Sequence, residues 1–539
     1  MIDPPGIPWY LPLLLYAETH YRFRSFISFL RKNEPEILAD APHRLEPGSP
    51  LPLLIIAKDA HQYPCTLRQV RVEIREQSKK VYQAELLREP KPLNKRLWWE
   101  IFKLDVSKWA GWLELDVFMT LERRGMVRTY RSDNHRTSSH NPLRVFVAND
   151  PLPRFANLHL GDAHTHSSYT DDQVEFGPPL KASRELCQAM GLSFFCVTDH
   201  SYDLDDHVDT YLANHPDLPK WSALQREIDE LNGSSSAFTI VRGEEVTSRN
   251  ANGKNVHLLL YGNRTFFAGS GDGAERWFQT RSEHSIAEVL RGKEDGAAAY
   301  AAHPRERVPL FQRLLLGRGN WSDGDLQTEG LHGIQYANGN IGNGFSSGKQ
   351  AWIRALLAGK RLFAIAGNDA HGNFNRFRQI GVPFLKIKEM DSQVFGKMRT
   401  GVFVEGAITE DSVLEALRQG NAITTDGPVV QAVIVARDGG RILPGGSTRE
   451  ETARLSLRVV STPEFGEVTT VQIILGKLQE NEEKTVVSFN ERMGFDVAKE
   501  VVIRPKGPCY VRVEAFASSE NLFDQQCHWC FTNPIWIYP

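Results

Sequence analysis

The stretch Leu160-Gly-Asp-Ala-His164-Thr-His166-Ser-Ser-Tyr-Thr-Asp171 carries the reading of this chain. A short apolar run ends on two histidines spaced i and i+2, and an aspartate follows five residues after the second. In extended backbone, residues two apart project to the same side, so His164 and His166 can reach one common point. The same grammar recurs downstream. Short apolar runs at 194–198, 238–242, 256–261, 297–302 and 361–366 end on or contain Thr198-Asp199-His200, Glu244-Glu245, His257, His303-Pro304 and Asp369-Ala370-His371. With 160–163 and 333–336 this makes seven runs. Helical segments at 179–190, 221–231, 283–291 and 348–358 alternate with them, a pattern that predicts a parallel sheet or barrel. A further helix is predicted at 410–418, after the N-cap Thr409.

Histidine placement sharpens the point. The chain has 17 His, eleven of them between His159 and His371. Six imidazoles and three acids at strand ends form a borderline-to-hard ligand set suited to Zn, Mn or Fe, and no cysteine stands among them to suggest a thiolate site. His159, His207, His215, His284 and His332 are read as ordinary surface or core residues.

The ordered set His-x-His…Asp, Thr-Asp-His, Gly-x-Glu, His, His-Pro and Gly-x-Asp-x-His resembles the polymerase and histidinol phosphatase (PHP) superfamily over about 156–426. The resemblance implies a distorted (β/α)7 barrel holding two or three divalent metal ions and hydrolysing phosphoesters. It places metal ligands at His164, His166, Asp171, His200, Glu245, His257, His303, Asp369 and His371. One ion would take His164, His166, Glu245 and Asp369; a second Glu245, His257 and His303; a third Asp171, His200 and His371. Glu244 is the alternative bridging acid if the register slips by one. Thr170 and Asp172 depart from the Ser and Gly usual in the first motif. The catalytic residues implied are His164, His166, Glu245, Asp369 and His371, acting on a metal-activated hydroxide. Arg305, Arg376 and Arg378, close behind His303 and His371, are the expected anion-binding side chains, because the planar guanidinium matches phosphate. Tyr202, Lys254 and the Asn338-Gly-Asn340 loop are further pocket candidates.

Outside this segment the chain reads as all-β. The run Gly111-Trp-Leu-Glu-Leu-Asp-Val-Phe-Met-Thr-Leu-Glu122 alternates, with Leu113, Leu115, Val117, Met119 and Leu121 on one face and Glu114, Asp116, Thr120 and Glu122 on the other. Short strands over 36–150 and again over 427–539 predict two β-sandwich domains flanking the barrel, with an N-terminal arm at 1–35. Cys527-His-Trp-Cys530 lies in one such strand; residues three apart there face opposite ways, so a structural role is expected rather than a zinc or redox site.

Composition bounds the function. The 539 residues are too many for one ordinary core, and 24% charged with 41% hydrophobic residues excludes wholesale disorder. A net charge of −3 argues against bulk nucleic-acid neutralisation. Six cysteines make no disulfide scaffold. No apolar run long enough to span a membrane and no signal-like N-terminus point to a cytoplasmic protein. The expected activity is hydrolysis of a small phosphorylated substrate. The alternatives are a PHP-like hydrolase of carboxylic ester or carbamate bonds, suggested by Thr424-Thr-Asp-Gly-Pro428 and the two sandwiches, and a non-catalytic metal-binding scaffold.

Overall fold

In a computed structural model of the chain, residues 34–134, 140–171, 177–208, 210–273, 280–375, 391–480, 482–518 and 527–539 are described. The N-terminal arm read at 1–35 lies outside them except for Glu34 and Pro35.

Strands of the N-terminal region form a three-stranded sheet (Glu36–Asp40, Leu51–Lys58, Leu97–Leu104) and a seven-stranded one centred on Cys65–Glu76 and Gly111–Arg123. Leu113, Leu115, Val117 and Met119 are fully buried, as period-two alternation requires. One residue of the opposite face departs from expectation: Asp116 is also fully buried. Arg75 and Arg131 both pair with its carboxylate, and a buried charge is tolerated when it is paired this way.

The (β/α)7 barrel expected for 156–426 is not the architecture. The fold is mostly β, 43% strand against 15% helix. Leu158–His166, Phe194–Val197 and Thr239–Arg249 pair in parallel. The order then changes: Thr239–Arg249 pairs antiparallel with Asn255–Tyr261, and that strand antiparallel with Ala298–Ala301. Parallel pairing resumes through Gly333–Asn338 to Phe363–Gly367. The reason lies in the connections. Only residues 250–254 join the first antiparallel pair, whereas a parallel crossover needs about a dozen residues or more. On its other edge Leu158–His166 is hydrogen-bonded to Arg399–Phe403, which occupies much of the edge a closing strand would use. From there the sheet continues through Ala422–Thr425 into Cys527–Thr532, Cys509–Ser518, Glu467–Lys477 and Glu483–Asn490, a 16-stranded assembly among the described residues. The C-terminal strands are thus divided between this long sheet and a four-stranded one built on Val429–Val435 and Ala453–Val460.

Leu180–Ala189 lies against the strand Leu51–Lys58 and the helix Pro219–Gly233, and helices pack on the long sheet at Pro219–Gly233, Ile286–Gly292, Asn343–Leu357 and Glu410–Gln419. Thr409 caps the last of these, its side chain accepting from the Ser412 N–H. No described helix is long and apolar enough to cross a membrane. All six cysteines are free thiols; within Cys527–Thr532, Cys527 is exposed and Cys530 buried.

Candidate metal centre

The mixed sheet brings its histidines together at one end. His164 and His166 close the strand Leu158–His166. That strand end pairs in parallel with Ala370–His371, setting His166 opposite His371, and their rings stack 4.0 Å apart at 8°. Glu245 lies within Thr239–Arg249, and strand alternation separates the two neighbouring acids. The Glu245 carboxylate faces the histidines. Glu244 points to the opposite side, accepting from the Ser201 hydroxyl at 2.8 Å and the Phe267 N–H at 3.3 Å. Burial raises the Glu244 carboxyl to about 8 despite these bonds, so it is a neutral acid, while Glu245 is held well below the usual carboxylate range: burial opposes this, but His257 and His164 outweigh it.

Glu245 is the hub. Its Oε2 lies 3.4 Å from His164 Nε2, 3.5 Å from His166 Nε2 and 3.0 Å from His200 Nδ1. Its Oε1 lies 2.6 Å from His257 Nδ1 and 3.2 Å from His303 Nε2. Asp369 Oδ1 sits 3.1 Å from His166 Nε2 and 3.5 Å from His164 Nε2. Three sets of potential ligand atoms are mutually within 4.8 Å: His164, His166, Glu245 and Asp369; His200, Glu245 and His257; and His166, His200 and His371. Five imidazoles around one fully buried carboxylate leave polar atoms unsatisfied. Glu245 Oε2, His164 Nε2 and His200 Nδ1 are buried without a hydrogen-bond partner. Buried polar atoms without partners are costly unless a ligand absorbs them, and the donor set of imidazole nitrogens and carboxylate oxygens fits a divalent transition metal.

The backbone is strained at the same place. His303 (φ 25°) and Asp369 (φ 52°) are non-glycine residues in the left-handed region, a conformation that persists only where the surroundings over-determine it and that clusters at functional sites. The gain is aim: each side chain turns off its strand end toward Glu245.

Several supporting residues carry no signal in the sequence. Gln335 Oε1 meets His164 Nδ1 at 2.8 Å, and Gln393 donates to Asp369 at 3.1 Å. Asp272 lies 2.9 Å from His257 Nε2, and Arg318 reaches Asp272 at 3.2 Å and His257 Nδ1 at 3.0 Å. A carboxylate behind a ligand imidazole orients the ring and raises its basicity. An alternating strand pattern could locate the histidines, but nothing in the spacing of Asp272, Arg318 or Gln335 marks them, because Asp272 and Arg318 arrive from separate connections and Gln335 from another strand, Gly333–Asn338. A cleft of about 280 Å³ opens beside the centre, lined by His200, Tyr202, His257, His303, Arg318 and Asp369 among others. The Tyr202 ring stacks on His200.

Other predicted site residues fall elsewhere. Asp171 joins none of the three ligand sets; Lys58 and Arg96 hold its carboxylate. Arg305 turns to Asp323, which also takes Arg354. Arg376 and Arg378 lie outside the described residues. Asn338 supports Glu306 and Gln335 instead of facing the cluster directly. His303 contacts Glu245, but the compact set around His257 contains His200 in its place.

No family model matches the chain, and no curated protein does. Among solved structures it is similar, over 93% of its length and 62% of the other chain, to a glycosyl hydrolase family 2 member from Bacteroides cellulosilyticus, with 9% identity and a TM-score of 0.18. A calcium-binding mutant of Bacteroides uniformis beta-glucuronidase 2 gives 11% identity and a TM-score of 0.18, covering 93% of this chain and 60% of that one. The chain thus spans about three fifths of the length of these two structures, and overlaps this slight carry no argument about activity.

Proposed function

We propose that this chain is a divalent-metal-dependent hydrolase of a small phosphate ester. The observation that carries the reading is Glu245, a fully buried carboxylate facing five imidazoles with ligand atoms left unsatisfied. His164, His166, Glu245 and Asp369 would hold one ion, and His200, Glu245 and His257, with His303 alongside, a second. A divalent metal there supplies Lewis acidity and makes water a nucleophile near neutral pH.

The chain's own residues do the rest. Two carboxylates offset part of the charge of two divalent ions, leaving a positive centre suited to an anion. Arg318, held in place by Asp272 in the wall of the cleft, adds a planar cation that can orient a phosphoryl oxygen. Strained His303 and Asp369 keep ligand atoms aimed before substrate arrives. A charged arginine in the cleft favours an anionic substrate over the neutral ester or carbamate of the alternative reading.

The test is turnover by purified protein, loaded in turn with Mn, Zn and Fe, of nucleotide, sugar and aryl phosphates beside aryl esters and carbamates. Metal-dependent release of phosphate is expected. Hydrolysis of aryl esters but not aryl phosphates overturns the phosphoesterase reading, and protein that takes up no metal overturns the hydrolase.

A further inference from the structure

We infer that Glu306 is a positioning residue for the metal centre: acting through Asn338 and Gln335, it keeps a proton on Nδ1 of His164 and leaves Nε2 as the ligand atom. The inference rests on the metal-centre reading above and deepens it.

Gln335 and Asn338 lie three residues apart on the strand Gly333–Asn338, and both are buried. In regular extended backbone their side chains would face opposite ways. The register against Phe363–Gly367 shifts between Gln335 and Ala337, and such a shift re-aims the residues beyond it. The two amides therefore meet: Gln335 Nε2 donates to Asn338 Oδ1 at 2.9 Å. Asn338 Nδ2 in turn donates to Glu306 Oε1 at 2.9 Å. At the other end Gln335 Oε1 lies 2.8 Å from His164 Nδ1. One continuous row of side chains thus runs from His164, near the end of its strand, to Glu306 in the wall of the cleft.

The row has a direction. A carboxylate only accepts, so Asn338 offers its NH2 to Glu306 and its carbonyl oxygen to Gln335. Gln335 then uses its NH2 on Asn338 and presents its own carbonyl oxygen to His164, whose Nδ1 must carry a proton to donate. Nε2 is left to face Glu245 Oε2 at 3.4 Å and Asp369 Oδ1 at 3.5 Å, carboxylates of the same ligand set. Reversing the row would set the Asn338 oxygen against Glu306 Oε1, two acceptors at hydrogen-bond distance, and would move the His164 proton to Nε2. A partner behind a ligand imidazole fixes its tautomer and orientation in this way. Glu306 is itself held by its backbone. Its N–H donates to the His303 carbonyl at 3.2 Å, and its carbonyl accepts from Asn320 Nδ2 at 2.9 Å.

The experiment measures zinc affinity of the full-length protein by competition with a chromophoric chelator. It also reads the His164 tautomer from nitrogen-15 shifts of histidine-labelled, zinc-loaded protein, assigned by difference from His164→Gln. A proton on Nδ1 is expected in the wild type. Asn338→Leu cuts the row without changing its charge; zinc affinity is expected to fall about 10–100-fold and the preference for a proton on Nδ1 to be lost. Asn338→Asp/Glu306→Gln moves the carboxylate one place along the row and keeps both charge and direction, because the new carboxylate accepts from Gln335 and from the new amide. That variant is expected to lose less than about tenfold and to retain the Nδ1 proton. Wild-type affinity in Asn338→Leu, or equal losses in the two variants, overturns the inference. If Asn338→Leu does not fold, the wild-type tautomer decides: zinc-loaded protein with no proton on Nδ1 of His164 overturns the inference while leaving the metal centre standing. A wild type that takes up no zinc overturns the metal-centre reading itself, and the role of Glu306 with it.

Discussion

His257 and Asp272 form a paired unit behind the Glu245 cluster: Nε2 of the imidazole lies 2.9 Å from the carboxylate Oδ2. The Arg318 guanidinium donates toward Nδ1 of the same ring at 3.0 Å. An N–H at Nε2 donating to Asp272 leaves the Nδ1 lone pair facing Glu245 Oε1, 2.6 Å away. Two acceptors set face to face need a shared proton or a shared cation between them. Asp272 thus selects the tautomer that can ligate. Asp272→Asn is expected to weaken metal binding about 10–100-fold, with secondary structure unchanged, as read by chelator competition alongside circular dichroism.

The two adjacent glutamates should part company on substitution. Glu245→Gln removes the negative hub of the imidazole cluster and is expected to abolish stoichiometric metal binding and turnover. Glu244→Gln replaces a carboxyl raised by burial to about 8, already neutral at pH 7, with a neutral isostere. It should keep full metal content, with stability changed by about 1 kcal/mol or less. Equal losses in both variants would show that the assignment of the hub is wrong.

Metal uptake should strengthen with pH. Burial alone would lower the His164 imidazole, but Glu245 and Asp369 raise it to about 9 in the metal-free protein. An ion must displace that proton, so apparent affinity is expected to climb by about tenfold per pH unit from pH 6.5 and to flatten near pH 9. Titration with a competing chromophoric chelator at several pH values measures the slope; a flat profile removes His164 from the ligand set.

Acid should destabilise the fold for a separate reason. Desolvation pulls the His43 ring down to about 3 and the His332 ring to about 4. Both folded values lie below the unfolded one, so their contribution is complete above about pH 6.5 and is lost as pH falls through the folded values. Each ring contributes a slope approaching about 1.4 kcal/mol per pH unit inside that window. Urea midpoints at pH 7.5, 6 and 5 should fall in order, and His43→Gln should flatten the fall.

Gly367 faces the centre from the neighbouring strand. A Cβ built there would stand 2.6 Å from both the Cβ and the backbone N of His164. Gly367→Ala is expected to cost about 1–3 kcal/mol in thermal or urea unfolding and to weaken metal binding by moving His164. Unaltered stability would mean that the strands separate more easily than their packing implies.

How much of this is legible in the sequence varies residue by residue. His164, His166, Glu245 and Asp369 were readable because a two-residue repeat puts side chains on one face, and because acids and imidazoles at strand ends are chemically conspicuous. The barrel is not the architecture because alternating apolar and helical segments imply parallel crossovers only where the connection is long enough for one. The five residues between Thr239–Arg249 and Asn255–Tyr261 are too few for such a crossover. The surroundings of Asp171 are not legible for another reason: its spacing from His166 is local, whereas Lys58 and Arg96, which pair with it, stand 113 and 75 residues away in sequence.

By itself, then, the chain's sequence determined which residue types could bind metal and which strand faces they share, since alternation and side-chain chemistry are local properties. Only the tertiary structure decided that Glu245 and not Glu244 lies at the centre, that Asp272 and Arg318 stand behind His257, and that the N-terminal sheet holds Asp171. Those relations are contacts between distant segments, set by how sheets pair and pack.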